Sequence, residues 1–449
     1  MKTKTGMFLR KLSITLPILL TSLLTACGTS DNNTSGATTT TATNSPQSTC
    51  LWQGPISISK PDANFAFPDT NAAYWSGVVT VPAGAKLFLN GQFPHSRYIS
   101  YVSYNADATP SVSLSDTSII PNTGSLNPFV TGNVRTLSKR DYRIQVVAGA
   151  APTGALPTNT LYAPVAANQT ITLMYRVYAP DQGLDIMGGE PLPQVEVQLA
   201  DGSIQTENAA CQTLKASPSL VPRLLLDQQT YLAARDQAHT PTGFPSSNPP
   251  VWHAGYSVKY DFTCGFYGAC GGTPIRTEGY FANPDNAYTY ADISRQLGKV
   301  VVLRGKIPTT PTTLLGDRYM QQGNLRYWSM CSNEYYSQKV TACLYDQQIP
   351  INADGQYTIV VSQTGDRPSN ATSGCGVGFL EWSTAGDGLG HPDDGLLIMR
   401  NMLPTTGFAQ AVQNTKTPGD EKSVLGDYLP SITYMSQTDF EAKGCTSNP

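Results

Sequence analysis

The feature that most limits what this chain can fold into is that it repeats itself. Pro68-Asp69-Thr70-Asn71 with Tyr74 is echoed by Pro284-Asp285-Asn286 with Tyr290. LFLNGQFP (87–94) is echoed by VVLRGKIP (301–308), which sets Gly91 over Gly305. SRYISYVSYN (96–105) returns as LRYWSMCSN (325–333), and LSDTSI (114–119) as LYDQQI (344–349), aligning Arg97 with Arg326 and Asp116 with Asp346. YRIQVV (142–147) matches YTIVVS (357–362), PTN (157–159) matches PSN (368–370), and APDQGLD (179–185) matches AGDGLG (385–390). Each echo is short, but seven in one order with few changes of length mark two copies of one fold.

The echoed segments read as strands. KLFLNGQF and RYISYVSYN are rich in Val, Ile, Tyr and Phe, run for five to nine residues, and stop at Gly, Pro or Asn. QTITLMYRVYAP (169–180) alternates as a strand with one buried face should. With 39 Gly, 33 Pro and 23 Tyr, the composition favours turns and pleated surfaces over helices. The expected fold class is therefore mainly β: two tandem homologous antiparallel β-sandwich domains, jelly-roll-like, at 50–211 and 281–449, joined by a helical and loop connector at 212–280. The best helix lies in that connector over 220–235, with Ser219 as N-cap and Pro222 in its first turn. A further stretch, 309–324, interrupts only the second copy. Asp116 and Asp346 are placed to start turns.

The N-terminus has a different character. MKTKTGMFLRK, the apolar run LSITLPILLTSLL and then Leu24-Thr25-Ala26-Cys27 make a secretory signal over 1–26. At about 1.5 Å per residue the apolar run is too short for roughly 30 Å of hydrocarbon. The last four residues resemble the bacterial lipobox, which implies that Cys27 becomes the lipidated first residue. Residues 28–49 are almost uncharged and rich in Thr, Ser, Asn and Gly, a flexible tether with a mean reach of about 25 Å. Gly28 stands where an inner-membrane retention signal would place Asp, so resemblance to Gram-negative lipoproteins implies the outer membrane, periplasmic or surface-facing. Attached acyl chains, palmitate among them, would be the membrane anchor.

Eight cysteines follow Cys27, an even set in an exported chain, and imply disulfides. Cys50 and Cys211 flank the first copy and would clamp its ends. Cys264–Cys270 would be a local bridge, with two Gly among the five residues between. The last four leave the pairing open, with Cys331–Cys343 and Cys375–Cys445 preferred. With no C-x-x-C and only four His, zinc spacing is missing.

The order RYWS…LYD…YTIVVS…RPSN resembles the C-terminal domain of bacterial envelope proteins of the domain-of-unknown-function 1214 family, often found with the 1254 domain. FPHSRY (93–98), NTLYAP (159–164) and YRVYAPD (175–181) resemble related secreted proteins. This implies a double β-sandwich and an envelope location, and no characterised activity.

Residues matched in both copies, such as Arg97/Arg326, Asp116/Asp346, Tyr142/Tyr357 and Asn159/Asn370, are best explained by the shared fold, as an Arg–Asp pair or an Asn bonded to a turn. Copy-specific residues are better candidates for chemistry. His95, beside Arg97, could act as a general base. Glu381, Asp387, His391, Asp393 and Asp394 crowd one Gly-rich loop, where Asp387, Asp393 and Asp394 could offer oxygens to Ca²⁺, although the spacing lacks the alternation of a calcium loop. Arg97, Glu381 and His391 are the binding candidates. Ser57-x-x-Lys60 fits S-x-x-K without its companion triplets, and no G-x-S-x-G elbow occurs. Trp52, Trp75, Trp252, Phe266, Tyr267, Trp328 and Trp382 are the stock for an apolar site, though most belong to cores. The formal charge of −3 becomes −7 once the four basic residues of the signal are removed, which argues against nucleic acid. No cofactor is expected. The first expectation is an envelope lipoprotein that binds a carbohydrate, lipid or protein ligand between the two copies. The alternative is a secreted hydrolase with a loop-borne active site.

Overall fold

Alternation of core and non-core side chains along successive segments produces nineteen strands among the described residues. The computed structural model describes residues 50–58, 61–217, 226–236, 246–267, 270–272, 274–276 and 281–445. The signal, Cys27, the tether, Lys60, Ser219 and Pro222 lie outside these residues, as does the Phe266 side chain. The first repeat contains β1 (Gln53–Ile56), β2 (Ala72–Thr80), β3 (Lys86–Gln92), β4 (Ser96–Tyr104), β5 (Pro110–Ser115), β6 (Asp141–Ala148), β7 (Thr160–Ala163), β8 (Thr170–Pro180), β9 (Gln194–Gln198) and β10 (Ile204–Thr206). The second contains β11 (His253–Ala254), β12 (Asn286–Ser294), β13 (Val300–Lys306), β14 (Tyr327–Asn333), β15 (Val340–Tyr345), β16 (Gln356–Ser362), β17 (Val377–Glu381), β18 (Asp394–Met402) and β19 (Ser431–Met435). The helices α1 (Glu207–Thr213) and α2 (Gln228–Arg235) lie between β10 and β11, and α3 (Val258–Tyr267) lies between β11 and β12.

Strand order establishes the duplication. The first repeat pairs its strands β1-β2-β8-β4-β5 and β10-β9-β3-β6-β7, and the second pairs β11-β12-β18-β14-β15 and β17-β16-β13-β19. Apart from β10, which the second repeat lacks among the described residues, the orders correspond strand for strand. The expected mainly β fold of two sandwiches is what the chain adopts. The expected antiparallel pairing has one exception per repeat, since β6 with β7 and β16 with β17 run parallel. The connections 149–159 and 363–376 supply the crossover of roughly a dozen residues that a parallel pair needs. The first strand of the second repeat, β11, lies inside the stretch read as connector. Trp252 beside it donates Nε1–H to Pro430 O, just as Trp52 beside β1 donates to Pro193 O.

The Gly and Tyr echoes have one cause. Gly91 pairs across the sheet with Tyr142, and Gly305 with Tyr357, so each glycine leaves space that its partner's ring fills. Two other echoes are corrected. The structural partner of Tyr74 is Tyr288, not Tyr290: the Tyr74 hydroxyl accepts from Asp69 N–H and the Tyr288 hydroxyl from Asn283 N–H. Asp69 therefore corresponds to Asn283. Residues 385–390 precede β18, whereas 179–185 follow β8, so that match is fortuitous; the true counterpart of Arg176 on β8 is Arg400 on β18. Arg176 faces Tyr74 across β2, as Arg400 faces Tyr288 across β12. Asn159 and Asn370 also differ in role, the first donating to Ile120 O and Arg143 O, the second to Phe440 O and Gly444 O.

Each sandwich closes over its own apolar core, one around Trp52, Trp75 and Tyr175, the other around Trp252, Trp328 and Trp382. A third cluster joins the outer faces of the two larger sheets through Tyr74, Tyr98, Tyr178, Tyr327, Tyr345 and Met402. The expectation of one buried face for 169–180 is thus corrected. Leu173, Tyr175 and Val177 enter the first core, while Met174 and Tyr178 enter the junction. Both faces are covered because the second repeat sits on the side that a lone sandwich would expose. The described residues from Cys50 onward form one unit. No helix among them is long and apolar enough to cross a membrane.

Cysteine pairing follows expectation, with Cys50–Cys211, Cys264–Cys270, Cys331–Cys343 and Cys375–Cys445 all bonded. The connector helix begins later than expected: α2 is capped by Asp227, whose carboxylate accepts from Thr230 N–H. An Asx cap immediately before the helical run satisfies an orphan amide, which fixes the start there.

Candidate functional site

The junction is laced by exchanged arginines. Arg97 of the first repeat pairs with Asp346 of the second at 2.6 Å, and Arg326 of the second pairs with Asp116 of the first at 3.0 Å. Both aspartates open 3-10 turns, as their sequence position suggested. Arg176 donates to Phe281 O, and Arg400 donates to Phe67 O. Phe67 and Phe281 occupy matching places and share a left-handed φ of 51°. Each repeat therefore lends a carboxylate and a backbone carbonyl to the guanidinium groups of the other. The interruption at 309–324 in the second repeat also crosses over: Thr313 accepts from Arg97 Nε–H, and the carbonyl oxygens of Arg318 and Met320 accept from Arg135 and Gly132 of the first repeat.

Beside this seam lies a cavity of about 220 Å³. Its first wall is Tyr74, Met174, Arg176 and Tyr178; its second is Tyr288, Tyr290, Leu396, Ile398 and Arg400. The connector closes it with Tyr231 of α2 and Tyr256, Asp261 and Phe262. The walls are mostly ring and aliphatic carbon with a few convergent polar groups, the usual make-up of a ligand site. Burial pushes the Asp261 carboxyl up to about 7, and its oxygens accept from Tyr256 N–H. Alternation places the side chains: 396, 398 and 400 face the cavity, while Leu397 and Met399 enter the second core.

None of the residues proposed from sequence for chemistry or binding lines this cavity, although Pro68, Tyr74 and Tyr290 of the first echo do. Arg97 is fully buried and spent on Asp346, Thr313 and Gln347, which corrects its reading as a binding residue. His95 lies near Arg140, Arg135 and Glu190, with Glu190 Oε1 3.9 Å from its ring. Burial, then the two guanidinium groups, hold its pKa down at about 4, far below the operating value that suits a general base at neutral pH. Glu381 is exposed at the end of β17 and accepts from Thr364. Asp387, His391 and Asp394 bring potential ligand atoms within 4.8 Å of one another, while Asp393 lies beside Arg295 instead. The buried carboxylates are already engaged. Asp387 accepts from Tyr231 at 2.8 Å and from the His391 ring at 2.6 Å, and Asp394 pairs with Arg235 at 2.7 Å. Tyr231 and Arg235 belong to α2, so this loop holds down the helix that covers the cavity. Calcium there would have to displace Arg235. Among the described residues no serine, threonine or cysteine is hydrogen-bonded to His391, as nucleophilic catalysis would need. Trp52, Trp75, Trp252, Trp328 and Trp382 are core, and Tyr267 is exposed.

What sequence reading missed is the site's tyrosine lining and Arg176/Arg400. The signal was present in Met174-Tyr175-Arg176-Val177-Tyr178, a strand with an arginine among rings, but this arginine had no echo in the alignment because the seventh match drew it elsewhere.

No family model matches the chain, and no curated protein does. Among solved structures, the chain is similar to an uncharacterised Burkholderia cenocepacia protein, at 13% identity and a TM-score of 0.44, covering 87% of this chain and 83% of that one. It is also similar to the VPA0106 protein from Vibrio parahaemolyticus, at 12% identity and a TM-score of 0.38, covering 82% and 90% respectively.

Proposed function

We propose that this chain is a lipid-anchored envelope protein that holds a small ligand in the cavity between its two β-sandwich repeats. The supporting observation is the composition of the cavity wall. It draws on both repeats and the connector, and it concentrates tyrosine rings around two buried guanidinium groups. A merely structural joint would gain most by filling this space, because voids forfeit contacts. The anchor rests on the signal and on Cys27, and the sorting to the outer membrane rests on Gly28.

Thermal-shift titration tests the site. A panel of small apolar, sugar and lipid compounds is expected to contain members that raise the melting temperature with concentration. Ile398→Trp, which fills the cavity, is expected to abolish the response. If no compound shifts the midpoint, or the filled variant responds equally, the site is wrong. The anchor has a separate test. Cells fed labelled palmitate should incorporate it into the wild-type protein and not into Cys27→Ser.

A further inference from the structure

We infer that the occupant of this cavity is a small monocarboxylate with an apolar body, its carboxylate accepting hydrogen bonds from Arg176. The inference rests on the proposed ligand site and adds the ligand's chemistry. It comes from a difference between equivalent positions. Arg400 has the Asp69 carboxylate 3.8 Å away, donates to Phe67 O, and lies against Cys331 Sγ. The residue equivalent to Asp69 on the other side of the junction is Asn283, which carries no charge. Arg176 is 1% exposed and uses Nη2 for Tyr104, Phe281 O and Ala282 O. Its Nε and Nη1 are themselves buried and have no hydrogen-bond partner among the described residues, and since the side chain lines the cavity, a carboxylate there engages them by a turn of the guanidinium toward it. Asp285 is the carboxylate whose field reaches Arg176, and its Oδ2 is already taken by the hydroxyls of Tyr98 at 2.5 Å and Ser113 at 3.3 Å.

A buried guanidinium with idle donors is costly unless something completes it. A buried guanidinium with two idle donors and no carboxylate hydrogen-bonded to it suits one carboxylate better than a phosphate dianion, which would bring a second charge into the same apolar space. Rings and aliphatic carbon form the rest of the wall, so the remainder of the ligand is apolar. At about 220 Å³ the cavity falls below the roughly 300–1,000 Å³ of drug-sized sites, which sets the ligand at the size of a phenylalkanoate or a medium-chain fatty acid.

Calorimetric titration of the full chain with 3-phenylpropionate, octanoate, 3-phenylpropionamide, octanamide and phenyl phosphate tests this. The acids are expected to bind at least about tenfold tighter than their amides, which keep the body and remove the charge. Asn283→Asp would give Arg176 the partner that Arg400 has, and should erase the preference for acid over amide while leaving amide binding in place. Arg176→Met should do the same, and Asn283→Asp covers the case in which it fails to fold. Acids and amides binding equally would overturn the carboxylate assignment and leave the ligand site standing. Tighter binding of phenyl phosphate than of the acids would overturn it as well. If none of the five binds and the wider panel gives no thermal shift, the ligand site itself fails.

Discussion

The two repeats share a strand order, a glycine–tyrosine cross-strand pair and an arginine on the central strand, yet they treat that arginine differently. In the second repeat, Arg400 sits beside a carboxylate. In the first, the position equivalent to that carboxylate is Asn283, and Arg176 keeps donors unused. Duplication fixes where a side chain goes, because equivalent positions inherit the same backbone. It does not fix the partner, and a single Asp-to-Asn difference changes a closed ion pair into a receptive one. Functional sites in duplicated folds should therefore be sought where equivalent residues have lost equivalent partners.

The largest expected effect separates the repeats by how they are stapled. Cys50–Cys211 closes a loop of 161 residues, so Cys50→Ser with Cys211→Ser should cost about 5 kcal/mol on the chain-entropy account. Removing Cys331–Cys343, which spans 12, should cost about 3 kcal/mol. Denaturant unfolding monitored in both variants checks the ranking, and equal losses would break it. Next comes the exchanged pairs. Asp346→Ala strands Arg97, a fully buried cation, and should cost about 3–5 kcal/mol. Asp116→Ala strands Arg326, which is 11% exposed and still donates to Phe129 O, and should cost less. Arg97→Met with Asp346→Leu should recover most of the loss. A double variant no better than the single one would mean that the pair acts through something other than charge.

How much of this was legible depended on the kind of contact. Gly91/Gly305 and Tyr142/Tyr357 were readable because each pair satisfies one cross-strand steric demand, which sequence preserves in both copies. The disulfides were readable because turns and repeat ends limit which cysteines can meet. That Arg97 reaches Asp346 rather than Asp116 was not, since four matched residues permit either pairing and only the face-to-face packing of the larger sheets decides. The correspondence of Asp69 with Asn283 was hidden by the Pro-Asp dipeptide, which invites an alignment two residues out of register. The acidic loop at 381–394 looked like chemistry because its partners, Tyr231 and Arg235, come from a helix far along the chain.

A smaller effect sharpens the same comparison at the glycines. A Cβ on Gly91 would fall 2.5 Å from the Tyr142 ring, whose hydroxyl is held by Tyr101 at 2.6 Å. A Cβ on Gly305 would meet Pro430 at 3.1 Å and the Tyr357 hydroxyl at 3.2 Å, and among the described residues that hydroxyl has no partner. Gly91→Ala should therefore cost about 1–3 kcal/mol as an overpacked site, and Gly305→Ala less than about 1 kcal/mol. Thermal melts of the two variants decide it, and the reverse order would show that the freer tyrosine is the more rigid one.

The mildest test uses pH and a residue the first repeat lacks. Asp292 on β12 is buried, corresponds to Val78, and has its pKa pushed up to about 7, chiefly by burial and then by Asp394. Above the ordinary carboxylate value, the folded chain holds this proton and the unfolded chain does not, so folding is favoured at low pH. The contribution is full below about pH 4, falls as pH rises, and is lost through pH 7. Asp261, also raised to about 7 by burial, adds in the same direction. Asp292→Asn keeps the shape and cannot ionise. It should raise the melting temperature most at about pH 8, leave it near wild type only below about pH 4, and flatten the slope between. A variant whose slope matches wild type would show that Asp292 stays ionised in the folded state and that Asp394, held by Arg235, does not oppose it.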